Sequence, residues 1–92
     1  MKLFKSVDKK FNEIGFIKTE ESNFGVYYER PDKEFKYVQE LCLLHKANGN
    51  HLIQSSQKEV NKDGYNNMVG LSMYEAKLSL KKMKQIGWKV TQ

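Results

Sequence analysis

The spacing of apolar and polar residues divides the chain into two helical segments with extended segments between them. Residues 3–14 carry apolar side chains at helical spacing, which predicts a first helix. The apolar stripe of this helix is Phe4, Val7, Phe11 and Ile14. Gly15 follows the stripe, so we expect the helix to end there in the left-handed region, with Phe16 folded back onto the last turn.

Two extended segments come next and predict a β-hairpin. They are residues 16–21 and residues 24–30, with Ser22 and Asn23 between them. In the second segment Phe24, Val26 and Tyr28 alternate with other residues, so we expect these three on one face. Pro31 presets the φ angle of a turn, and we predict that turn over residues 31–33.

The central hairpin of the predicted sheet consists of residues 35–46 and 51–58. Asn48 and Gly49 lie between them and tolerate the positive φ angles of a tight reversal. Residues 41–44 are apolar without a break, and alternate residues of a strand point to opposite faces. One layer of helices cannot cover all four, so we expect a loop, the C-terminal tail or another subunit to cover part of the second face.

A second helix follows a predicted loop over residues 59–70, which is rich in glycine and asparagine. Ser72 with Glu75 three residues later has the pattern of a capping box, and the helix should run to about Ile86. Gly87 and Trp88 repeat the glycine-aromatic ending of the first helix. The residues that we expect to share the apolar face of this helix are Met73, Ala76, Leu80, Met83 and Ile86.

These elements predict a single α+β domain of 92 residues. Short connections between consecutive strands favour a four-stranded antiparallel meander, with one helix before it and one after it. Two helices packed side by side would cover such a sheet. The predicted architecture is therefore a two-layer sandwich with both helices on one sheet face and the other face partly open.

Composition serves mainly to exclude classes of protein. A hydrophobic content of 39% is typical of a globular chain, and a net charge of +5 permits nucleic acid or an acidic protein as partner without requiring either. The sequence lacks an apolar run of the roughly 20 residues that a membrane span needs. The N-terminal residues also lack the apolar core of a signal peptide, so we expect a cytoplasmic protein.

Side chains that bind metals or act as nucleophiles do not occur at the spacing of a known site. Cys42 and His45 are three residues apart on a strand and point to opposite faces, so we predict a buried, structural thiol. His45 and His51 flank the turn and can lie near each other, but they lack a cysteine or carboxylate at zinc-ligand spacing. Residues 59–70 begin like a calcium-binding EF-hand loop, yet Gly70 stands where the bidentate glutamate belongs. We therefore predict no metal, no cofactor and no enzymatic activity.

Two groups of residues are candidates for binding a partner. The first combines the predicted loop with two side chains that lie off the expected apolar face of the second helix; its members are Tyr65, Asn66, Asn67, Tyr74 and Leu78. The second group is Lys77, Lys81 and Lys84, which fall within about 60° of each other on a helix and could follow a phosphate backbone. Binding to another protein is our leading hypothesis. Nucleic-acid binding is the alternative, and a homodimer through the open sheet face is a further arrangement that the pattern permits.

Four short stretches of the sequence carry a resemblance to a group of known proteins. They are Ile14-Gly15-Phe16, Phe24-Gly25-Val26-Tyr27-Tyr28-Glu29, Gly49-Asn50-His51-Leu52-Ile53-Gln54-Ser55 and Lys82-Met83-Lys84-Gln85-Ile86-Gly87-Trp88. Through these stretches the chain resembles the short proteins encoded by phages and prophages of low-GC Gram-positive bacteria. The resemblance implies a small α+β accessory protein, and it supplies no catalytic residues. In our leading hypothesis the protein partner is a host or phage protein.

Overall fold

The computed structural model describes residues 6–32, 37–46, 50–58 and 69–88. Within these ranges the chain forms two α-helices and one four-stranded antiparallel sheet, which confirms the α+β class. The elements in chain order are α1 (Val7–Glu13), β1 (Ile17–Glu21), β2 (Gly25–Asp32), β3 (Tyr37–His45), β4 (His51–Lys58) and α2 (Met73–Gln85). The strands lie in the sheet in the order β1-β2-β3-β4. Neither of the helices in these ranges is long and apolar enough to cross a membrane.

Helix α1 begins and ends on local signals. The Ser6 side chain accepts a hydrogen bond from the backbone N–H of Lys9 at 3.2 Å and so caps the first turn. At the other end Gly15 has a φ of 97°, and the N–H of Phe16 donates to the carbonyl of Phe11 at 3.0 Å. This is a Schellman motif, in which a left-handed residue satisfies the last carbonyls of a helix. The predicted stop at Gly15 is therefore confirmed.

Helix α2 uses the same devices. Ser72 and Glu75 form a complete capping box, with each side chain accepting from the backbone N–H of the other at 3.0 Å. Gly87 has a φ of 90°, and the N–H of Trp88 donates to the carbonyl of Met83 at 2.9 Å. Both ends of α2 thus match the sequence prediction.

Strand β2 is longer than the sequence pattern indicated. A turn was predicted over residues 31–33, but β2 continues through Pro31 to Asp32, and Pro31 pairs with Val38 of β3. Proline has no N–H to donate, so inside a sheet it needs a position without a partner on one side. Pro31 meets this condition because, among the described residues, the register of β2 with β1 ends at Glu29, two residues before Pro31.

The buried core combines side chains from both helices and the two central strands. Val26 and Tyr28 of β2 alternate inward, as predicted, and face Leu43 and Leu41 of β3 across the register. Phe24 was expected to share that face, but it precedes β2 and is 74% exposed, so that prediction is wrong. The core cluster is Phe11, Phe16, Val26, Tyr28, Leu41, Leu43, Leu78 and Met83.

Cys42 lies between Leu41 and Leu43 and therefore points to the opposite face of the sheet. Cys42 is nevertheless only 8% exposed, which confirms the predicted buried thiol. Burial, together with the nearby charge of Glu40, raises the pKa of the Cys42 thiol to about 11. A thiol with so little thiolate at neutral pH is a weak nucleophile.

The orientation of α2 differs from the prediction. The expected apolar face contained Met73 and Leu80, but these side chains are 90% and 44% exposed. The residues that α2 buries are Glu75, Leu78, Ser79, Lys82 and Met83. At 100° per residue, the centre of this buried face lies roughly 90° around the helix from the predicted one. The helix is rotated because Glu75 and Lys82 form ion pairs with charged side chains from outside α2.

Candidate functional site

The outer side of α2 carries a group of side chains, here called the α2 ridge. It consists of Met73, Tyr74, Ala76 and Leu80, which are apolar or aromatic, together with Lys77. These five residues line a shallow depression of about 470 Å³. Single exposed apolar residues are ordinary on protein surfaces, but a contiguous group on one helix face is typical of an interaction surface. The ridge exists because the rotation of α2 leaves Met73 and Leu80 outside the core, while Leu78 and Met83 of the same helix are buried.

Charged side chains from other elements hold α2 in this rotation. The carboxylate of Glu75 forms a salt bridge with the guanidinium of Arg30 at 2.8 Å, and both side chains are largely buried. Arg30 also donates to the carbonyl of Ile14 at 3.1 Å and to the side chain of Gln39 at 2.8 Å, and its guanidinium lies over the ring of Phe16. Arg30 therefore joins the end of α1, the sheet and the start of α2.

A second ionic cluster holds the other end of the buried face. The Lys82 ammonium, with a side chain only 6% exposed, lies 3.2 Å from Asp8 and 3.1 Å from Glu21. Lys18 joins both carboxylates at 2.8 Å, and the hydroxyl of Tyr28 donates to Asp8 at 2.6 Å. Among the residues that the structure describes, no buried side-chain nitrogen or oxygen lacks a hydrogen-bond partner. This cluster is therefore a satisfied structural network and not a free acid or base.

The network shifts the pKa values of its members. Burial opposes the charged form of Asp8, but hydrogen bonds from Lys18, Tyr28 and Lys82 outweigh it and hold its pKa below the ordinary 3.8. Hydrogen bonds from Lys18 and Lys82 likewise lower the pKa of Glu21. The pKa of Lys18 is raised, chiefly by its hydrogen bonds to Asp8 and Glu21. Burial and the bond to Asp8 raise the pKa of Tyr28. The pKa shifts of Asp8, Glu21 and Lys18 favour their charged forms, and the pKa shift of Tyr28 keeps its hydroxyl protonated as a hydrogen-bond donor.

The lysines predicted to form a stripe do share one exposed face of α2. Lys77, Lys81 and Lys84 are all exposed, and within the described ranges none forms an ion pair with an acidic side chain. At 100° per residue they lie beside Met73 and Leu80 around the helix. The exposed face of α2 therefore carries a positively charged sector beside an apolar one.

The candidate partner-binding residues have different outcomes. Tyr74 is half exposed on the α2 ridge. Leu78 was expected beside it on the surface, but Leu78 is 1% exposed and belongs to the core, so that prediction is wrong. Tyr65, Asn66 and Asn67 lie outside the residues that the structure describes. Met73, Ala76 and Leu80 of the ridge were missed, because their helical spacing predicted a buried face. Lys77 was predicted as part of the lysine stripe.

A second group of side chains lies at the turn end of the central hairpin. His45 and His51 are directly paired across β3 and β4, and their Nδ1 atoms are 3.1 Å apart. The indole of Trp88 stacks on the His51 ring at 5.1 Å with an interplanar angle of 9°, and it lies 5.2 Å from the His45 ring. The sequence indicated that the two imidazoles could meet, but it did not indicate that Trp88 joins them.

Comparison of the chain with protein-family models, with curated proteins and with solved structures found no match. Within the described ranges, no group of three or more His, Cys, Asp or Glu side chains is placed to hold a metal ion.

Proposed function

We propose that this protein is a small, non-enzymatic binding module whose α2 ridge docks a segment of another protein. The observation that carries the proposal is the exposure of Met73, Tyr74 and Leu80 on one face of a 13-residue helix, next to exposed lysines. Apolar side chains favour an apolar partner surface, and Lys77, Lys81 and Lys84 favour carboxylates beside it. The partner segment would therefore be apolar and acidic.

The proposed architecture leaves α2 free on its outer side. We infer that both helices cover the same sheet face, since Phe11 of α1 and Leu78 of α2 belong to one buried cluster with Val26 and Leu41. In a two-layer sandwich of this kind, the side of α2 away from the sheet is available to a partner. The resemblance to phage and prophage proteins supports a cytoplasmic host or phage protein as that partner.

The expected burial energies indicate a modest affinity of the α2 ridge for its partner. Full burial of Met73 would contribute about 1.5–3 kcal/mol, and Leu80, which is 44% exposed, would contribute about half as much. Association costs about 4–15 kcal/mol in lost translational and rotational freedom. The two side chains alone cannot offset that cost, so Tyr74 and the lysines must also contact the partner. We expect an interface at the small, transient end of the usual range.

The test is affinity capture from host lysate with the wild-type chain and with Met73→Ser/Leu80→Ser. Phe24→Ser is a matched control, because Phe24 is also a large exposed apolar residue but does not line the ridge. We expect one protein to be captured by the wild type and the control and lost from the double variant, and its binding to be reproduced with purified components. Nuclease treatment should not release it. Equal capture by the ridge variant would place the binding surface elsewhere and contradict the proposal.

Nucleic acid is the second candidate partner, because Lys77, Lys81 and Lys84 are exposed on one helix face. A row of lysines can neutralise successive phosphates without any base-specific contact. Three such contacts give weak binding compared with the six to ten that are common for DNA-binding proteins. This difference makes a protein the preferred partner.

A further inference from the structure

The paired imidazoles of His45 and His51 have no part in the proposed docking at α2. The backbone N–H of His45 donates to the carbonyl of Phe24 on the β2 side, and the N–H of Lys46 donates to Asn50 across the hairpin. His45 and His51 therefore form a non-hydrogen-bonded pair of the antiparallel ladder, the kind in which side chains approach most closely. The sheet register itself brings the two rings together.

The distance between the Nδ1 atoms of His45 and His51 suits coordination of one cation. Imidazole nitrogens bind Zn²⁺ at about 2.0–2.1 Å, so two Nδ1 atoms 3.1 Å apart would subtend an angle of about 100° at a shared ion. This angle lies between the right angle of square-planar or octahedral coordination and the tetrahedral angle. The two nitrogens are at hydrogen-bonding distance, so a bound ion would take the place of the proton between them.

Trp88 fixes the orientation of the pair. Its indole stacks on the His51 ring and lies close to the His45 ring, which limits rotation of both imidazoles. The two histidines are half-buried, so an ion can reach them from solvent. A pair of ligands whose rings are already oriented loses less conformational entropy on binding an ion.

We propose that the Nδ1 atoms of His45 and His51 bind a divalent transition-metal ion of the copper, nickel and zinc class. Each neutral imidazole would donate its Nδ1 lone pair and carry its ring proton on Nε2, with water completing the coordination shell. Imidazole nitrogens without carboxylates favour these ions over calcium and magnesium. Since the described residues supply no third ligand, the ion exchanges with solvent and is not a structural zinc.

Trp88 is the single tryptophan of the chain, so its fluorescence reports on this site. The experiment titrates the tag-free protein with Ni²⁺, which quenches a neighbouring indole and does not oxidise Cys42. We expect saturable quenching at one equivalent and a melting temperature that rises with Ni²⁺, because the ion binds the folded chain preferentially. Unchanged emission and an unchanged melting temperature at millimolar Ni²⁺ would overturn the proposal.

Variants separate this site from binding elsewhere. His45→Gln or His51→Gln should weaken Ni²⁺ binding by roughly tenfold or more, since each leaves one imidazole in place of two. Lys46→Gln changes a neighbouring exposed charge but no ligand, and it should bind Ni²⁺ within about threefold of the wild type. The Ni²⁺-dependent rise in melting temperature gives the same comparison without relying on Trp88 stacking. Equal affinity in the wild type and both histidine variants would also overturn the proposal.

Discussion

At the scale of single residues, Asp8 accepts hydrogen bonds from Tyr28, Lys18 and Lys82, which belong to β2, β1 and α2. The Lys82 ammonium is almost fully buried and depends on Asp8 and Glu21 for its compensation. A buried ammonium without partners would be costly, so these two carboxylates decide whether α2 can turn Lys82 inward.

The first prediction concerns this carboxylate. Asp8→Asn should lower the free energy of unfolding by about 1–3 kcal/mol, because it weakens charged hydrogen bonds while Glu21 still compensates Lys82. Chemical denaturation at neutral pH measures the change. Lys9→Gln, an exposed change on the same helix, is the control and should be nearly neutral. If Asp8→Asn leaves the free energy of unfolding unchanged, the network does not stabilise the fold.

The pH dependence of the same variant has a definite sign. Folding lowers the pKa of Asp8 below 3.8, so the folded state favours its ionised form, and this stabilisation is fully present above that pH. It is lost as the pH falls through the folded-state pKa. The stability difference between wild type and Asp8→Asn should therefore narrow as the pH falls below 3.8. A constant difference across that range would contradict the assigned cause.

At the scale of elements, both helices end in the same way. Gly15 and Gly87 adopt positive φ, and an aromatic residue follows each of them. The two sites differ in their surroundings. A Cβ added at Gly15 would lie 3.0 Å from Cδ of Arg30, whereas one added at Gly87 would meet nothing within 4 Å.

The second prediction uses that difference. Gly87→Ala should destabilise the protein by about 1 kcal/mol, the cost of placing alanine in the left-handed region. Gly15→Ala should cost roughly 2 kcal/mol, because Arg30 is held by its other partners and cannot easily move. Gly70→Ala is the control, since Gly70 has open space and no positive φ. Thermal denaturation measures all three, and equal effects at Gly15 and Gly70 would contradict the prediction.

At the scale of the whole molecule, the net charge of +5 bears on which kind of partner the proposed docking surface would bind. Charge attracts nucleic acid and acidic proteins alike. Salt separates the two cases, because phosphate binding releases counterions and weakens steeply with ionic strength.

The third prediction is that neither single-stranded nor duplex nucleic acid binds appreciably at about 100 mM salt, since three lysines neutralise too few phosphates. Fluorescence anisotropy with labelled oligonucleotides measures this. Binding that weakened by about three decades per decade of salt would favour nucleic acid as the partner. If the α2 lysines cause such binding, it should be lost in Lys77→Glu/Lys81→Glu. It should be retained in the control Lys9→Glu/Lys46→Glu, which changes the net charge by the same amount at exposed positions elsewhere.

The sequence by itself determined the features that depend on near neighbours in the chain. The capping box of Ser72 and Glu75 and the helix ends at Gly15 and Gly87 involve residues at most five apart, and the inward alternation of Val26 and Tyr28 follows from strand geometry. Pro31 was misassigned because a proline is compatible with a strand wherever its neighbouring strand has ended, and only the sheet shows where β1 ends.

Only the tertiary structure decided which face of α2 is buried. An apolar stripe predicts the inward face when charged residues remain in solvent. Here Arg30 lies opposite Glu75, and Asp8 and Glu21 lie opposite Lys82, so the charged positions are buried with Leu78 and the stripe of Met73 and Leu80 is exposed. The stacking of Trp88 on His51 is equally a product of the fold, since the two residues are far apart in the chain. Both arrangements arise from contacts between distant segments, and no local pattern contains them.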